Sequence, residues 1–270
     1  MRPTLLLSFI AILLGSFVPA RAADSGPRPA TPEEVALLNE SLYRVAGDYP
    51  RWAYTEHRIV RDAKGHVKTD LVLRFDPSRP YAEQWTPIQV NGKEPSARDR
   101  NKYRAMGERA APPDMAKPAQ PKTDLRRRVS LGELLDVARS SIASETATHW
   151  TFEIPLRKFG NERFPPEKFQ VLARLRKEGT ALENLAVRLR ESFRSKLIVS
   201  VKSGEGTLEF APVDPKRAPA LVGLSGDAVA SVLFVNVGGS VTLTRTDLKA
   251  VKPYDERFEV QIGNLKAIDF

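Results

Sequence analysis

The clearest indication of the fold is the segment Trp52-Ala-Tyr-Thr-Glu-His-Arg-Ile-Val-Arg-Asp-Ala-Lys-Gly-His-Val-Lys-Thr-Asp-Leu-Val-Leu-Arg-Phe75. Polar and apolar side chains alternate on both sides of Asp62-Ala-Lys-Gly65, which has the composition of a hairpin turn. If Asp62 faces His66, Arg58 lies directly opposite Asp70, and one side of the hairpin is apolar while the other is charged. A hairpin of this kind predicts an antiparallel sheet that buries one face.

The predicted buried face of this hairpin contains every second residue of each strand. It comprises Ala53, Thr55, His57, Ile59, Val67, Thr69, Leu71, Leu73 and Phe75. We interpret His57 as a hydrogen-bonded core histidine, with a pH-responsive group in a cavity as the alternative.

The alternation of polar and apolar side chains returns from residue 168 onward. Strands are expected at 168–176, 185–194, 197–201, 208–210, 229–237, 240–246 and 257–262, with turns at Ser203-Gly-Glu-Gly206 and Gly238-Gly239. Upstream, Thr31-Pro-Glu-Glu34 has the form of a capping box and predicts a helix over 32–46. About ten strands with few helices predict a mainly β (α+β) fold built on a curved antiparallel sheet.

The sequence divides into an N-terminal targeting segment and a single domain. Residues 1–22 combine Arg2, an apolar run and the small-x-small ending Ala20-Arg-Ala22, which is typical of a secretory signal cleaved after Ala22. We expect a flexible stretch at 23–31 and one domain over 32–270. Residues 95–139 interrupt the strand pattern with helix-permissive and Pro-rich sequence, and Ser130-Leu-Gly-Glu133 is a second capping-box match.

Composition excludes several classes of site. The 270 residues carry a net charge of +9, 28% charged residues and no cysteine, so disulfides, thiolate metal sites and a cysteine nucleophile are excluded. Its three histidines have no metal-ligand spacing, and no nucleophile elbow or phosphate loop is present. Glu191 interrupts an apolar alternation without an identifiable catalytic partner, which favours a position at a strand end or in a bulge. The absence of these motifs predicts a protein that is not an enzyme and has no metal or cofactor. Together with the predicted signal segment at 1–22, the sequence predicts a periplasmic protein.

Several short motifs follow one another in a recognisable layout: the signal segment, a first helix, Trp52-Ala-Tyr-Thr-Glu56, the Asp62 turn, Asp76-Pro77, Trp85 and Val90-Asn-Gly92. Over most of 32–270 this layout resembles the LolA/LolB-like superfamily of periplasmic lipoprotein-sorting and carrier proteins. The resemblance implies an unclosed antiparallel half-barrel whose open side is covered by helices around an apolar cavity for acyl chains. The chain departs from the pattern in its Pro-rich insertion, in lacking the anchoring cysteine of the lipoprotein members, and in offering no match to the functional arginine.

The leading hypothesis is a non-catalytic binding or carrier protein for a lipid or acyl chain. The residues expected to line its cavity are Thr55, Ile59, Leu71, Leu73, Phe75, Leu134, Leu135, Val187 and Leu189. The helix predicted at 131–138 is expected to cover this cavity, with 96–108 as a second candidate for a covering helix.

Basic residues suggest a second hypothesis, an envelope scaffold that docks a protein partner. Arg174, Arg176, Arg188 and Arg190 are expected on one sheet face, which would attract an anionic membrane surface or an acidic protein. The competing interpretation is a solvated outer face whose charges are balanced by neighbouring carboxylates. The same basic residues disfavour an outer-membrane barrel, and an exported protein is not expected to bind nucleic acid.

Overall fold

The computed structural model describes residues 26–111, 131–158, 165–195, 199–232 and 235–257. The predicted signal segment at 1–22, the prolines between 112 and 121, Ser130 and nearly all of the predicted strand at 257–262 lie outside these residues.

The described residues form twelve strands and three helices. The strands are β1 (Arg28–Pro29), β2 (Trp52–Asp62), β3 (Val67–Phe75), β4 (Trp85–Val90), β5 (Ser141–Glu145), β6 (His149–Glu153), β7 (Phe169–Arg176), β8 (Ala181–Leu189), β9 (Phe193–Ser195), β10 (Val199–Ala211), β11 (Ala220–Val232) and β12 (Val235–Ala250). The helices are α1 (Pro32–Asp48), α2 (Ala97–Ala110) and α3 (Leu131–Leu134). Short 3-10 turns occur at Tyr49–Arg51, Tyr81–Glu83, Val137–Arg139, Pro166–Lys168, Glu178–Thr180 and Asp255–Arg257.

All twelve strands belong to one sheet, and every pair of neighbours is antiparallel. The order is β1-β5-β6-β7-β8-β10-β11-β12-β2-β3-β4, and β9 pairs with β10 beside this path. The sheet does not close into a barrel, so β1 and β4 form its two edges. The predicted mainly β fold, an unclosed antiparallel half-barrel with covering helices, is confirmed.

The predicted register of the β2–β3 hairpin is wrong by one residue. The backbone N–H of Asp62 does bond to the carbonyl of His66 at 3.0 Å, as the turn predicts. However, Val60 pairs with Thr69 while Arg61 pairs with Val67, so Lys68 is an extra residue in a β-bulge. A shift of one residue moves every side chain beyond the bulge to the other face. Arg58 therefore lies opposite Leu71, and Ile59 lies opposite Asp70.

The bulge exchanges the two faces of β2. His57, predicted to be buried, is exposed, and its Nε2 lies 2.8 Å from Oδ1 of Asp70. Glu56, predicted on the charged outer face, shares the inner face with Leu73 and is only 1% exposed. The inner face of this hairpin consequently carries a buried carboxylate.

Several predicted strand boundaries are also wrong. Ser203–Gly206 continues β10 without a turn, and Gly238-Gly239 lies inside β12. The predicted strand at 229–237 spans parts of both β11 and β12. A Cβ at Gly239 would meet the carbonyl oxygen of Arg61 at 2.1 Å, so this glycine permits a close approach of β12 and β2 rather than forming a turn. The pattern also missed β5 and β6, which have only five residues each.

The first helix follows the sequence prediction closely. Thr31 caps α1 by accepting from the backbone N–H of Glu34 at 3.3 Å, and the Glu34 carboxylate accepts from the backbone N–H of Thr31 at 2.8 Å. Leu38 on its inner side is fully buried. A second capping box, formed by Ser96 and Asp99, begins α2. Both major helices are therefore started by local sequence signals.

The core is divided beneath the two helices. The larger cluster lies under α1 and contains Leu38, Leu135, Ile142, Phe152, Ile154, Val171, Ala173, Leu175, Leu182 and Leu185. A smaller cluster of Leu71, Leu73 and Tyr103 joins β3 to α2. A third cluster consists of Trp52, Tyr54 and Ala220. Its strands, β2 and β11, lie between those of the other two clusters in the order of the sheet.

Two glycines in helices should respond oppositely to alanine. A Cβ at Gly107 of α2 would lie 1.9 Å from the carbonyl oxygen of Tyr81, whereas a Cβ at Gly47 of α1 would meet nothing within 4 Å. We expect Gly107→Ala to lower the free energy of unfolding by about 1–3 kcal/mol because α2 must move away. Gly47→Ala should raise it by about 0.5–1 kcal/mol. Urea unfolding of both variants tests this, and an unchanged or increased stability of Gly107→Ala would contradict the close packing of α2.

Candidate functional site

A cavity of about 930 Å³ lies between α1 and the inner face of the sheet. Its walls are contributed by α1, Tyr49 of the turn that follows it, the segment 135–138, Arg157, and strands β8, β10 and β11. The lining residues are Val35, Asn39, Leu42, Tyr43, Val45, Ala46, Tyr49, Leu135, Val137, Ala138, Arg157, Leu182, Leu185, Leu208, Phe210 and Leu221.

The cavity is apolar over most of its wall. Twelve of the sixteen lining residues carry hydrocarbon side chains, and the other four are Asn39, Tyr43, Tyr49 and Arg157. Its volume falls within the range of about 300–1,000 Å³ that is usual for small-molecule sites, and such sites combine apolar walls with a few polar groups. The site can therefore accept an aliphatic or aromatic body with a small number of polar contacts.

The N-terminal end of α1 is held to the sheet by charged side chains. Arg28 of β1 donates to Glu34 of α1 at 2.6 Å and to Glu145 of β5 at 2.7 Å. Lys177 donates to the other oxygen of Glu145 at 2.6 Å. Hydrogen bonds from Lys177 and Arg28 lower the pKa of Glu145 to about 2, and the bond from Arg28 lowers the pKa of Glu34. This network, from Arg28 to Lys177, is called the N-terminal clasp below.

The C-terminal end of α1 is held by a second set of contacts. Asp48 accepts from the Arg217 guanidinium at 2.9 Å and from the backbone N–H of Ala218 at 2.8 Å. Ala218 is itself buried in the loop that joins β10 to β11. Between these two attachments, the middle of α1, with Leu42 and Val45, lines one side of the cavity, and this side is called the roof below.

A buried ion pair lies next to the cavity on the inner face. Glu56 accepts from Arg245 Nε at 3.2 Å and also from Arg58. The Arg245 guanidinium is stacked 3.9 Å from the ring centre of Tyr54, whose pKa is raised by burial. Arg245 also donates to the hydroxyl of Tyr49 at 3.2 Å. Tyr49 lines the cavity, so this hydroxyl connects the ion pair to the cavity wall.

The structure separates the residues that the sequence predicted as one cavity lining. Leu135 lines the cavity under α1, while Leu71, Leu73 and Phe75 pack in or against the cluster beneath α2. Thr55 and Ile59 lie on the opposite face of β2, because they pair with Arg74 and Asp70. Val187 packs against the large cluster, and Leu134 and Leu189 are half-buried, but none of these three lines the cavity.

The prediction missed the roof and the floor of the cavity. The roof comes from α1 and the floor from Leu208, Phe210 and Leu221. The helical spacing of Leu38, Leu42 and Val45 and the alternation of Leu208 with Phe210 were visible signals. Only the tertiary fold shows that these two patterns face each other.

The predicted basic face is largely neutralised within the sheet. Arg176 and Arg174 lie 2.8 Å and 3.8 Å from Glu183, and Arg190 pairs with Glu153. Arg188 lies directly opposite Glu205 across β8 and β10. The outer face therefore carries both signs of charge in alternation. Glu191 lies just beyond the end of β8, exposed and paired with Lys168, in agreement with a strand-end position.

The described residues hold no cluster of three or more side chains suited to a metal ion. None of the helices in the described part of the chain combines the length and hydropathy that a bilayer crossing requires.

Comparison with family models, with curated proteins and with solved structures finds no match for this chain.

The N-terminal clasp should make stability depend on pH through Glu145. Its pKa is about 2 in the folded protein against 4.5 for the free group, so its contribution is present above pH 4.5 and is lost as the pH falls toward 2. We expect Glu145→Gln to cost on the order of 1 kcal/mol at pH 7 and much less at pH 2.5. Thermal unfolding at both pH values measures this. Glu40→Gln, on the exposed side of α1, is the control, and an equal loss at both pH values would contradict the clasp.

Because Glu56 and Arg245 form a buried ion pair, we expect the stability losses of their single variants not to add in the double variant. Glu56→Gln leaves Arg245 buried without its counter-charge and should cost about 3 kcal/mol. The double variant Glu56→Gln/Arg245→Met should be more stable than the sum of the two single losses, because no unpaired buried charge remains. Urea unfolding measures all three. Glu83→Gln, which breaks an exposed pair with Arg79, should change stability by less than about 1 kcal/mol, and strict additivity at Glu56 and Arg245 would contradict their coupling.

Proposed function

We propose that this chain is an exported, periplasmic carrier that binds a hydrophobic ligand, a lipid or an acyl chain, in the cavity beneath α1. The observation that carries the proposal is the apolar space of about 930 Å³ under a helix that is fixed at both ends. The role requires no chemistry on the ligand, and the walls offer mainly hydrocarbon surface.

The energetics favour a ligand with a long aliphatic part. Each methylene group transferred from water to such a surface contributes about 0.8 kcal/mol. Leu42, Leu185 and Leu208 present aliphatic surface from three different elements to the same space. A roof that is already fixed would lose little conformational freedom on binding, which leaves more of this free energy as affinity.

The LolA/LolB-like resemblance agrees with this role. That superfamily is expected to fold as an unclosed antiparallel half-barrel with helices over an apolar cavity, and the chain has a sheet and helices of this kind. We propose a related carrier role without assigning lipoprotein transfer, because the anchoring cysteine and a matching functional arginine were not found in the sequence.

The alternative role as an envelope scaffold has weaker support. It depends on a basic outer face that attracts an acidic partner or an anionic membrane surface. Glu183 and Glu153 already pair with three of the four arginines that would form this face. Ion pairs within the sheet reduce the field that such a partner would meet.

The proposal is tested first by what the protein carries. Protein purified from the periplasm should retain lipid that native mass spectrometry and solvent extraction detect, and delipidated protein should bind a fluorescent fatty acid. Repeated purification without lipid, together with no binding of the fluorescent fatty acid, would overturn the carrier role.

Filling the cavity should weaken ligand binding strongly without unfolding the protein. Leu208 is half-buried on the cavity floor, so Leu208→Trp places a large side chain in the ligand space. We expect at least a tenfold loss of affinity for the fluorescent fatty acid, measured by titration. Ile88→Trp, at an exposed position on edge strand β4, is the matched control and should bind normally. Equal affinity of the two variants would show that the probe binds elsewhere.

A further inference from the structure

Arg157 is the one charged residue among the sixteen described residues that line the cavity. Its side chain is exposed, and within the described part of the chain it makes no ion pair. Its situation differs from that of Arg28, Arg217 and Arg245, each of which is paired with a carboxylate. A guanidinium without such a partner keeps its capacity to bind an anion in two hydrogen bonds.

The backbone of Arg157 is fixed to the cavity wall. Its N–H donates to the carbonyl of Leu134 at 2.8 Å, and the N–H of Asp136 donates to the carbonyl of Pro155 at 2.8 Å. Leu135 and Leu156 form a bridge between the same two segments. The side chain thus extends from a rigid base that adjoins Leu135, a residue of the apolar wall.

The remaining polar groups of the wall are also suited to an anion. Asn39, Tyr43 and Tyr49 can donate hydrogen bonds, and the sixteen lining residues include no carboxylate. The Tyr49 hydroxyl accepts from Arg245, which leaves its own hydrogen available for donation. The described wall therefore combines hydrocarbon surface with one unpaired cation and several donors, without a negative charge to repel an anion.

We propose that the ligand is an anionic amphiphile whose aliphatic chain occupies the cavity and whose carboxylate or phosphate group is bound by Arg157. This inference rests on the proposed carrier function and specifies the class of its ligand. Carboxylate and phosphate share the chemistry that a guanidinium recognises, so the probes distinguish them.

The experiment compares three ligands with the same chain of twelve carbons: dodecanoate, dodecyl phosphate and dodecanol. Each is titrated calorimetrically, as monomers in solution, into delipidated wild-type protein, Arg157→Gln and Arg139→Gln. Arg139 is the matched control, because it is an exposed arginine of the neighbouring Val137–Arg139 turn that does not line the cavity. Circular dichroism confirms that both variants are folded.

We expect Arg157→Gln to lower the affinity for at least one of the two anions about tenfold and to leave the affinity for dodecanol unchanged. The anion that loses affinity identifies the preferred head group, and equal losses indicate recognition of negative charge alone. Arg139→Gln should bind all three ligands as the wild type does. The affinity of the wild type for the anion should fall with added salt, while that for dodecanol should not.

The outcomes separate this inference from the carrier function. If wild-type protein binds dodecanol as tightly as both anions and Arg157→Gln changes nothing, the inference is overturned while the carrier function stands. Equal losses in Arg157→Gln and Arg139→Gln would likewise overturn it, because they indicate general attraction to positive charge. If the wild type binds none of the three ligands, the carrier function itself fails.

Discussion

The cavity keeps its shape because α1 is attached to the sheet at both ends. The N-terminal clasp ties the helix to β1, β5 and the turn after β7, and Asp48 ties its other end to the β10–β11 loop. Leu38 packs into the core, and Leu42 and Val45, which pack against that core, also line the cavity. A helix held only by hydrophobic contact could settle onto the sheet and close that space. Fixed ends oppose this collapse, which otherwise removes voids from protein interiors.

The wide sheet has a second consequence, since two substantial helices must cover its inner face. On this inner face, β2 and β12 place Glu56 and Arg245 directly opposite each other, and both are buried. Arg58 and Tyr49 form hydrogen bonds with this pair and Tyr54 stacks on Arg245, so a charged pair lies shielded from water beside the cluster of Trp52, Tyr54 and Ala220. Burial of the pair costs desolvation, and its hydrogen bonds offset that cost only when all partners are present.

Local signals in the sequence predicted the elements better than their assembly. The capping box at Thr31 and the apolar stripe of α1 identified the helix because both are written in consecutive residues. The bulge at Lys68 has no such signature, and it alone moved Glu56 inward and Thr55 outward. The cavity escaped prediction for a related reason: its roof and floor are separated by more than 150 residues, and only the strand order brings them together.

The position of β12 beside β2 also governs how the molecule can fold. Glu56 and Arg245 are 189 residues apart in the chain, yet they join the two halves of the sheet. Until β12 is in place, the hairpin of β2 and β3 has no neighbour beside β2. The sheet is therefore completed only when β12, the last strand that the structure describes, pairs with β2, and such long-range closure makes acquisition of the native state slow.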